Sequence, residues 1–203
     1  GLLQALLMSF ISIYAPMISQ FHSEKNLIKM NNTYKMVTRW LLLFSIPIAI
    51  IFIIFPGNIL SLFGKEYIAS ADVLIILTIA TLLQAVSGAA SPTLGMSGFT
   101  RVVLFNTLFA FLLNFGLNYN LIPNYGINGA AYATLITLII IGSVRTIQVR
   151  FLLKMNFFSF KLLKPLVSGI ATYYAIISLK PFLSNFNFLV ELLIALPVCM
   201  LIY

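Results

Sequence analysis

WLLLFSIPIAIIFIIFPGNILSL, Trp40 to Leu62, runs for 23 residues without an Asp, Glu, Lys or Arg. A helix rises about 1.5 Å per residue, so such a run crosses the ~30 Å hydrocarbon core of a bilayer. The run is continuously apolar rather than alternating with period two, which predicts a helix and not a barrel strand. Working outward from it, six more apolar runs appear: Gly1 to Ser19, Asp72 to Gly95, Arg101 to Leu121, Gly126 to Gln148, Leu162 to Lys180 and Phe186 to Tyr203. The expected fold class is all-α, a polytopic transmembrane bundle of about seven spans. Pro16, Pro47, Pro92 and Pro197 mark expected kinks or ends.

Composition agrees. Of 203 residues 61% are hydrophobic and 8% charged, against roughly 25% charged in soluble domains, and the mean hydropathy is +1.06. Too few charges remain to cover a water-soluble surface, which excludes a soluble enzyme, a nucleic-acid binder and a disordered tail. The net charge of +8 is a topology signal instead. Ten of the twelve Lys and Arg fall in or beside alternate gaps: Lys25, Lys29, Lys35 and Arg39, then Arg101, then Arg145, Arg150, Lys154, Lys161 and Lys164. The other gaps hold Lys65 and Lys180. Basic loops stay in the cytoplasm, so the start of the chain is expected outside and its end inside. Phe21 to Arg39 reads either as an interfacial amphipathic helix or as a solvated loop. The chain opens on Gly1 inside an apolar run, so a fragment of a longer protein is expected, with a truncated first span.

Ionisable groups in a membrane are costly and mark function by default. Arg145 lies about a turn inside its span, open to two readings, snorkelling to the interface or lining a cavity. Glu191, Glu66 and Asp72 sit near the outer boundary. His22 is the single histidine and Cys199 the single cysteine, so neither a metal cluster nor an intrachain disulfide is expected. Among uncharged groups, the 100° advance of a helix places Ser87, Gly88, Ser91 and Gly95 within about 60° of Gln84. Asn106, Ala110, Asn114 and Asn118 share an arc of about 120° on the next span. These carboxamides either bond between helices or face a watered cavity. Gly129, Ala133 and Thr137, like Gly126, Ala130 and Thr134, recur at the spacing that lets helix backbones approach. Paired carboxylates, a nucleophile with a base, and a phosphate loop are all missing, so no catalytic residues, cofactor or enzyme activity is expected. A membrane-embedded glycosyltransferase would need a long outward loop or intramembrane acids. A small membrane scaffold would need a complete first span.

Several blocks in order resemble polysaccharide flippases of the multidrug, oligosaccharidyl-lipid and polysaccharide exporter superfamily. They are YAPMISQF (Tyr14 to Phe21), TRW (Thr38 to Trp40), SIPI (Ser45 to Ile48), LSLFGKEY (Leu60 to Tyr67), TLGMSGFTR (Thr93 to Arg101) and LNYNLIPNYGINGAAYAT (Leu117 to Thr134). The last block has a physical reason: Pro123 should stop one helix, and Gly126 and Gly129 should restart the next one close by. The resemblance, over residues 8 to 160, implies two bundles related by a pseudo-two-fold axis and rocking about a central cavity. It makes residues 1–150 the second bundle without its first helix, and 151–203 two appended helices. The implied substrate is a polyprenyl-pyrophosphate-linked oligosaccharide, and the implied partners are membrane lipids and an N-terminal bundle of the same chain, with no nucleic acid. The alternative within the superfamily is a cation-coupled multidrug exporter. Family cations lie largely outside this piece, which leaves Gln84, Asn106, Asn114, Asn118 and Arg145 as candidate substrate-cavity residues.

Overall fold

The computed structural model describes residues 2–156 and 163–183. Its helices are α1 (Leu2–Ser23), α2 (Leu27–Ile54), α3 (Pro56–Ser61), a 3-10 turn (Lys65–Ser70), α4 (Ala71–Ser87), α5 (Ala90–Met96), α6 (Thr100–Leu153) and α7 (Leu163–Leu183). Among the described residues there is no strand, as expected of an all-α bundle. Leu27–Ile54, Lys65–Met96 and Thr100–Leu153 are long and apolar enough to cross a membrane. The last expected span, with Glu191, Pro197 and Cys199, lies outside the described residues, as does Lys161.

α2 is the central helix and packs on α1, α4 and α7. Met30, Tyr34, Val37 and Leu41 are buried along one stripe of its first half, the i, i+3, i+4 pattern of an amphipathic face, while further on Ile46, Ile50 and Ile54 are buried on a different side. This corrects the loop reading of Phe21 to Arg39, since Leu27 to Arg39 is helix continuous with the run that follows. Only Glu24, Lys25 and Asn26 separate α1 from α2. Lys25 takes a left-handed φ of 53°, and Asn26 Oδ1 caps α2 by accepting from the Lys29 amide at 3.1 Å. Leu27 to Arg39 then adds about 20 Å of helix before Trp40. Trp40 packs with Phe10 and Phe44 at ring centroids 6.5 and 5.8 Å away.

The prolines split by context. α1 and α2 continue through Pro16 and Pro47, whereas the third span breaks at Gly88 and Ala89, about one turn before Pro92. Proline removes an N–H and crowds the carbonyl four residues earlier, here that of Gly88. Pro123 is a further correction, since α6 runs through it and reverses at Gly126 instead, with φ 56° and ψ −133°. The last turn before the reversal is held by side chains: Asn120 Nδ2 donates to the Gly116 carbonyl at 2.7 Å and Asn124 Nδ2 to that of Asn120 at 3.1 Å.

α6 is therefore a hairpin, with residues 100–125 as its first arm and 127–153 as its second. At its neck a Cβ on Gly129 would lie 2.6 Å from the Leu121 carbonyl carbon and 2.9 Å from the Ile122 amide nitrogen. Only glycine fits that approach, as the small-residue spacing anticipated. Inside a bilayer apolar side chains gain little by leaving lipid, so close backbone packing and interhelical hydrogen bonds carry the assembly. At the basic end, the Asn156 amide donates to Asn31 Oδ1 at 3.2 Å, tying the close of α6 to the first turns of α2.

Candidate functional site

α4 and the second arm of α6 touch at Ser87 and Gly142, where a Cβ on Gly142 would lie 2.6 Å from Ser87 Oγ. The two helices run in the same direction, so one turn further on Ser91 and Arg145 come level. Beside them is a cavity of about 400 Å³ lined by Gln84, Ser87, Gly88, Ser91, Gly95 and Arg145. α1 closes one side with Met8 and Ile11, and Val103 of α6 closes another. All five residues of the polar stripe read from helical periodicity thus share one cavity, which opens where α4 gives way to α5. Irregular backbone at membrane depth is tolerated where it lines such a space.

Arg145 contributes the cavity's one cationic side chain. Its Nε is buried without a hydrogen-bond partner, and the residue as a whole is half-buried. The arginine sits eight residues before Leu153, about 12 Å from the helix end along the axis.

The asparagine face is placed elsewhere. Asn106 Nδ2 donates to Gln148 Oε1 at 2.6 Å and Gln148 Nε2 returns a bond to Asn106 Oδ1 at 3.0 Å. Asn114 Nδ2 donates to Thr137 Oγ1 at 3.3 Å. Asn118 Nδ2 donates to Asn114 Oδ1 at 2.8 Å. Asn106 and Asn114 therefore join the arms of the hairpin, and none of the three asparagines lines the cavity of Gln84 and Arg145. Of the five sequence candidates, the fold brings two together.

Sequence reasoning missed Gln148, which closes an apolar run and so reads as a span end rather than a partner. It also missed a buried bond between Tyr14 and Thr93, 2.6 Å from hydroxyl to hydroxyl. Thr93 Oγ1 donates to the Ala89 carbonyl at 2.5 Å, so the Tyr14 hydroxyl is the donor. That bond fastens α5, the short helix beyond the break, to α1. An aromatic hydroxyl in mid-span was the available signal, because a buried Tyr O–H needs a partner.

Among the described residues no group of His, Cys, Asp and Glu could hold a metal ion.

The MatE family model matches residues 1–120, more than half of the chain. Comparison with curated proteins gives no match. Among solved structures, a lipid II flippase, MurJ, in an inward closed conformation is similar in fold, with a TM-score of 0.73 and 20% identity. The likeness covers 98% of this chain and 44% of that one, so the chain spans less than half the length of the protein it matches. The apolar helices make this a multi-pass membrane protein, and the chain belongs to the MatE family, within the multidrug, oligosaccharidyl-lipid and polysaccharide exporter superfamily.

Proposed function

We propose that the chain forms the second-bundle part of a flippase that carries a polyprenyl-pyrophosphate-linked oligosaccharide across the cytoplasmic membrane by alternating access. In this reading residues 1–150 are that bundle and 151–203 are appended helices. The chain starts outside and ends in the cytoplasm, and an N-terminal bundle of the same protein completes the transport path. The observation that carries it is the cavity of Gln84, Ser91 and Arg145 within the bundle. A pyrophosphate crosses hydrocarbon only if cations and carboxamides replace its water. The polyprenyl tail needs no such help and stays in lipid. A lipid II flippase of similar fold supports a lipid-linked substrate. The rival cation-coupled exporter calls for an acid deep in a span, and the described acids Glu24, Glu66 and Asp72 are exposed near helix ends.

The test is deletion of the whole gene with glycan sidedness as the readout. Lipid-linked oligosaccharide should accumulate on the cytoplasmic leaflet and return to the outer leaflet on complementation. Unchanged sidedness would refute the proposal. In the complementing gene, Arg145→Gln should restore less than Arg145→Lys, which keeps the charge.

A further inference from the structure

α5 spans seven residues, Ala90–Met96, too few to hold a helix by its own ladder, so its place depends on what it packs against. The chain can turn at both of its ends. The α4 ladder lapses at Gly88 and Ala89, and Gly98 beyond α5 takes a φ of 88°, which glycine adopts freely. One face of α5 is buried at Ala90, Thr93 and Leu94. The other brings Ser91, Pro92 and Gly95 into the cavity wall, and a Cβ on Gly95 would meet nothing within 4 Å. Free space thus lies on the cavity side of a short helix with a hinge at each end.

What holds α5 away from that space is its buried seat, where the hydroxyls are only partly matched. Tyr14 donates to Thr93 Oγ1, whereas the hydroxyls of Tyr34 and Ser97 are buried with no hydrogen-bond partner among the described residues. Buried polar groups are ordinarily bonded, so such orphans call for a physical reason. Tyr14 is ten residues before Glu24 and Tyr34 eight after Asn26, which puts them about 15 and 12 Å from the same turn. The two phenols therefore stand at nearly one level of the α1–α2 pair, within one buried cluster.

We propose that α5 is a gate with two positions, held off the cavity by the bond from Tyr14 to Thr93. On release α5 swings into the space beside Gly95 and covers Arg145, and the Tyr14 hydroxyl turns to Tyr34. One hydrogen bond replaces another, so no buried donor is orphaned by the exchange. The unpaired Tyr34 oxygen is the acceptor kept for the second position. The gate deepens the flippase reading by controlling its cavity, and rests on that reading only for what passes.

Spin labels at Met96→Cys and Ile147→Cys, both exposed and neither in the cavity wall, report the approach of α5 to the second arm of α6. They are placed in the whole protein, otherwise freed of cysteine. Double electron–electron resonance should give one main distance for this parent and the same for Thr93→Ser, which keeps the hydroxyl. Thr93→Val deletes the acceptor and should raise the share of a shorter distance roughly fivefold, as loss of one hydrogen bond does. Thr93→Ala is read in the same way if the valine variant does not fold. Adding Tyr34→Phe removes the acceptor of the second position and should return the ratio towards the parent. Three results overturn the gate: unchanged distances in Thr93→Val, a shift to longer distance, or a shorter distance that Tyr34→Phe leaves in place. Glycan sidedness is scored separately, so a protein that fails as a flippase can still show the gate, and a flippase can fail to show it.

Discussion

Gly129→Ala offers the sharpest test of the hairpin, because the collision it creates is with main chain. The new methyl would sit 2.6 Å from the Leu121 carbonyl carbon and 2.9 Å from the Ile122 nitrogen, and closer still to the carbonyl oxygen. A flexible side chain can swing away, but these atoms belong to the neighbouring arm and move only if the arms part. Overpacking typically costs about 1–3 kcal/mol, and an unyielding backbone places this case near 3. Alanine returns about 1 kcal/mol of helix propensity over glycine. The net expectation is a loss of about 2 kcal/mol, near the thirtyfold end of the range that such a loss produces in a folding ratio. Gly116, on the first arm of the same hairpin, is the internal control, since a Cβ there meets nothing within 4 Å. Gly116→Ala should stabilise by about 0.4–1 kcal/mol. Thermal unfolding of the whole protein in one detergent, wild type beside both variants, should move the midpoint down for Gly129→Ala and up for Gly116→Ala. Equal shifts, or no loss at Gly129, would refute the backbone-contact account of the hairpin.

Gly142→Ala should cost about 1–3 kcal/mol through Ser87 Oγ. Ser87→Ala in the same chain should recover most of it, because the next atom, Ser87 Cβ, is 3.3 Å away; a double-mutant cycle on melting midpoints gives the coupling. Asn106→Leu should destabilise by about 1 kcal/mol by orphaning the Gln148 carboxamide, and adding Gln148→Leu should return the midpoint towards wild type. Tyr14→Phe deletes the donor to Thr93 and should lower the midpoint by about 1 kcal/mol, whereas Tyr119→Phe, on an exposed ring, should not. For topology, Lys29→Cys and Lys65→Cys in a Cys199→Ala background should react with an impermeant thiol reagent from opposite sides of the membrane, Lys65→Cys from outside; labelling of both from one side would refute the assigned orientation.

What could be read from the chain follows the physics that wrote it. Bilayer thickness forces continuous apolar runs, so the helices of the first six runs were legible before any packing was known, among them the three elements long and apolar enough to cross a membrane. The bilayer says nothing of helix beyond it. The buried stripe of Met30, Tyr34 and Leu41 carries that information, but lysines on the outer face of the same turns obscured it. Proline is the loudest local signal, and it misplaced the hairpin reversal by three residues. Near a helix end Pro123 forfeits only one ladder bond. The reversal instead needs a positive φ, which Gly126 supplies and side-chain-bearing residues rarely do.

The site divides along the same line. Periodicity states which side chains share a face, and the stripe from Gln84 to Gly95 survived intact on that ground alone. It does not state which faces meet. Asn106 and Asn114 share a face as reliably as Gln84 and Ser91 do, yet that face turns to the other arm of its own hairpin, where Gln148 and Thr137 satisfy it. A carboxamide with such a partner is structural; one without remains open to a ligand. Arg145 joins the Gln84 face because two small residues, Ser87 and Gly142, let α4 and α6 touch one turn earlier. Neither residue carries a charge, but that contact sets the depth at which the cation stands. The bulk at position 142, rather than any further polar group, is therefore the variable that should tune how Arg145 meets an anion.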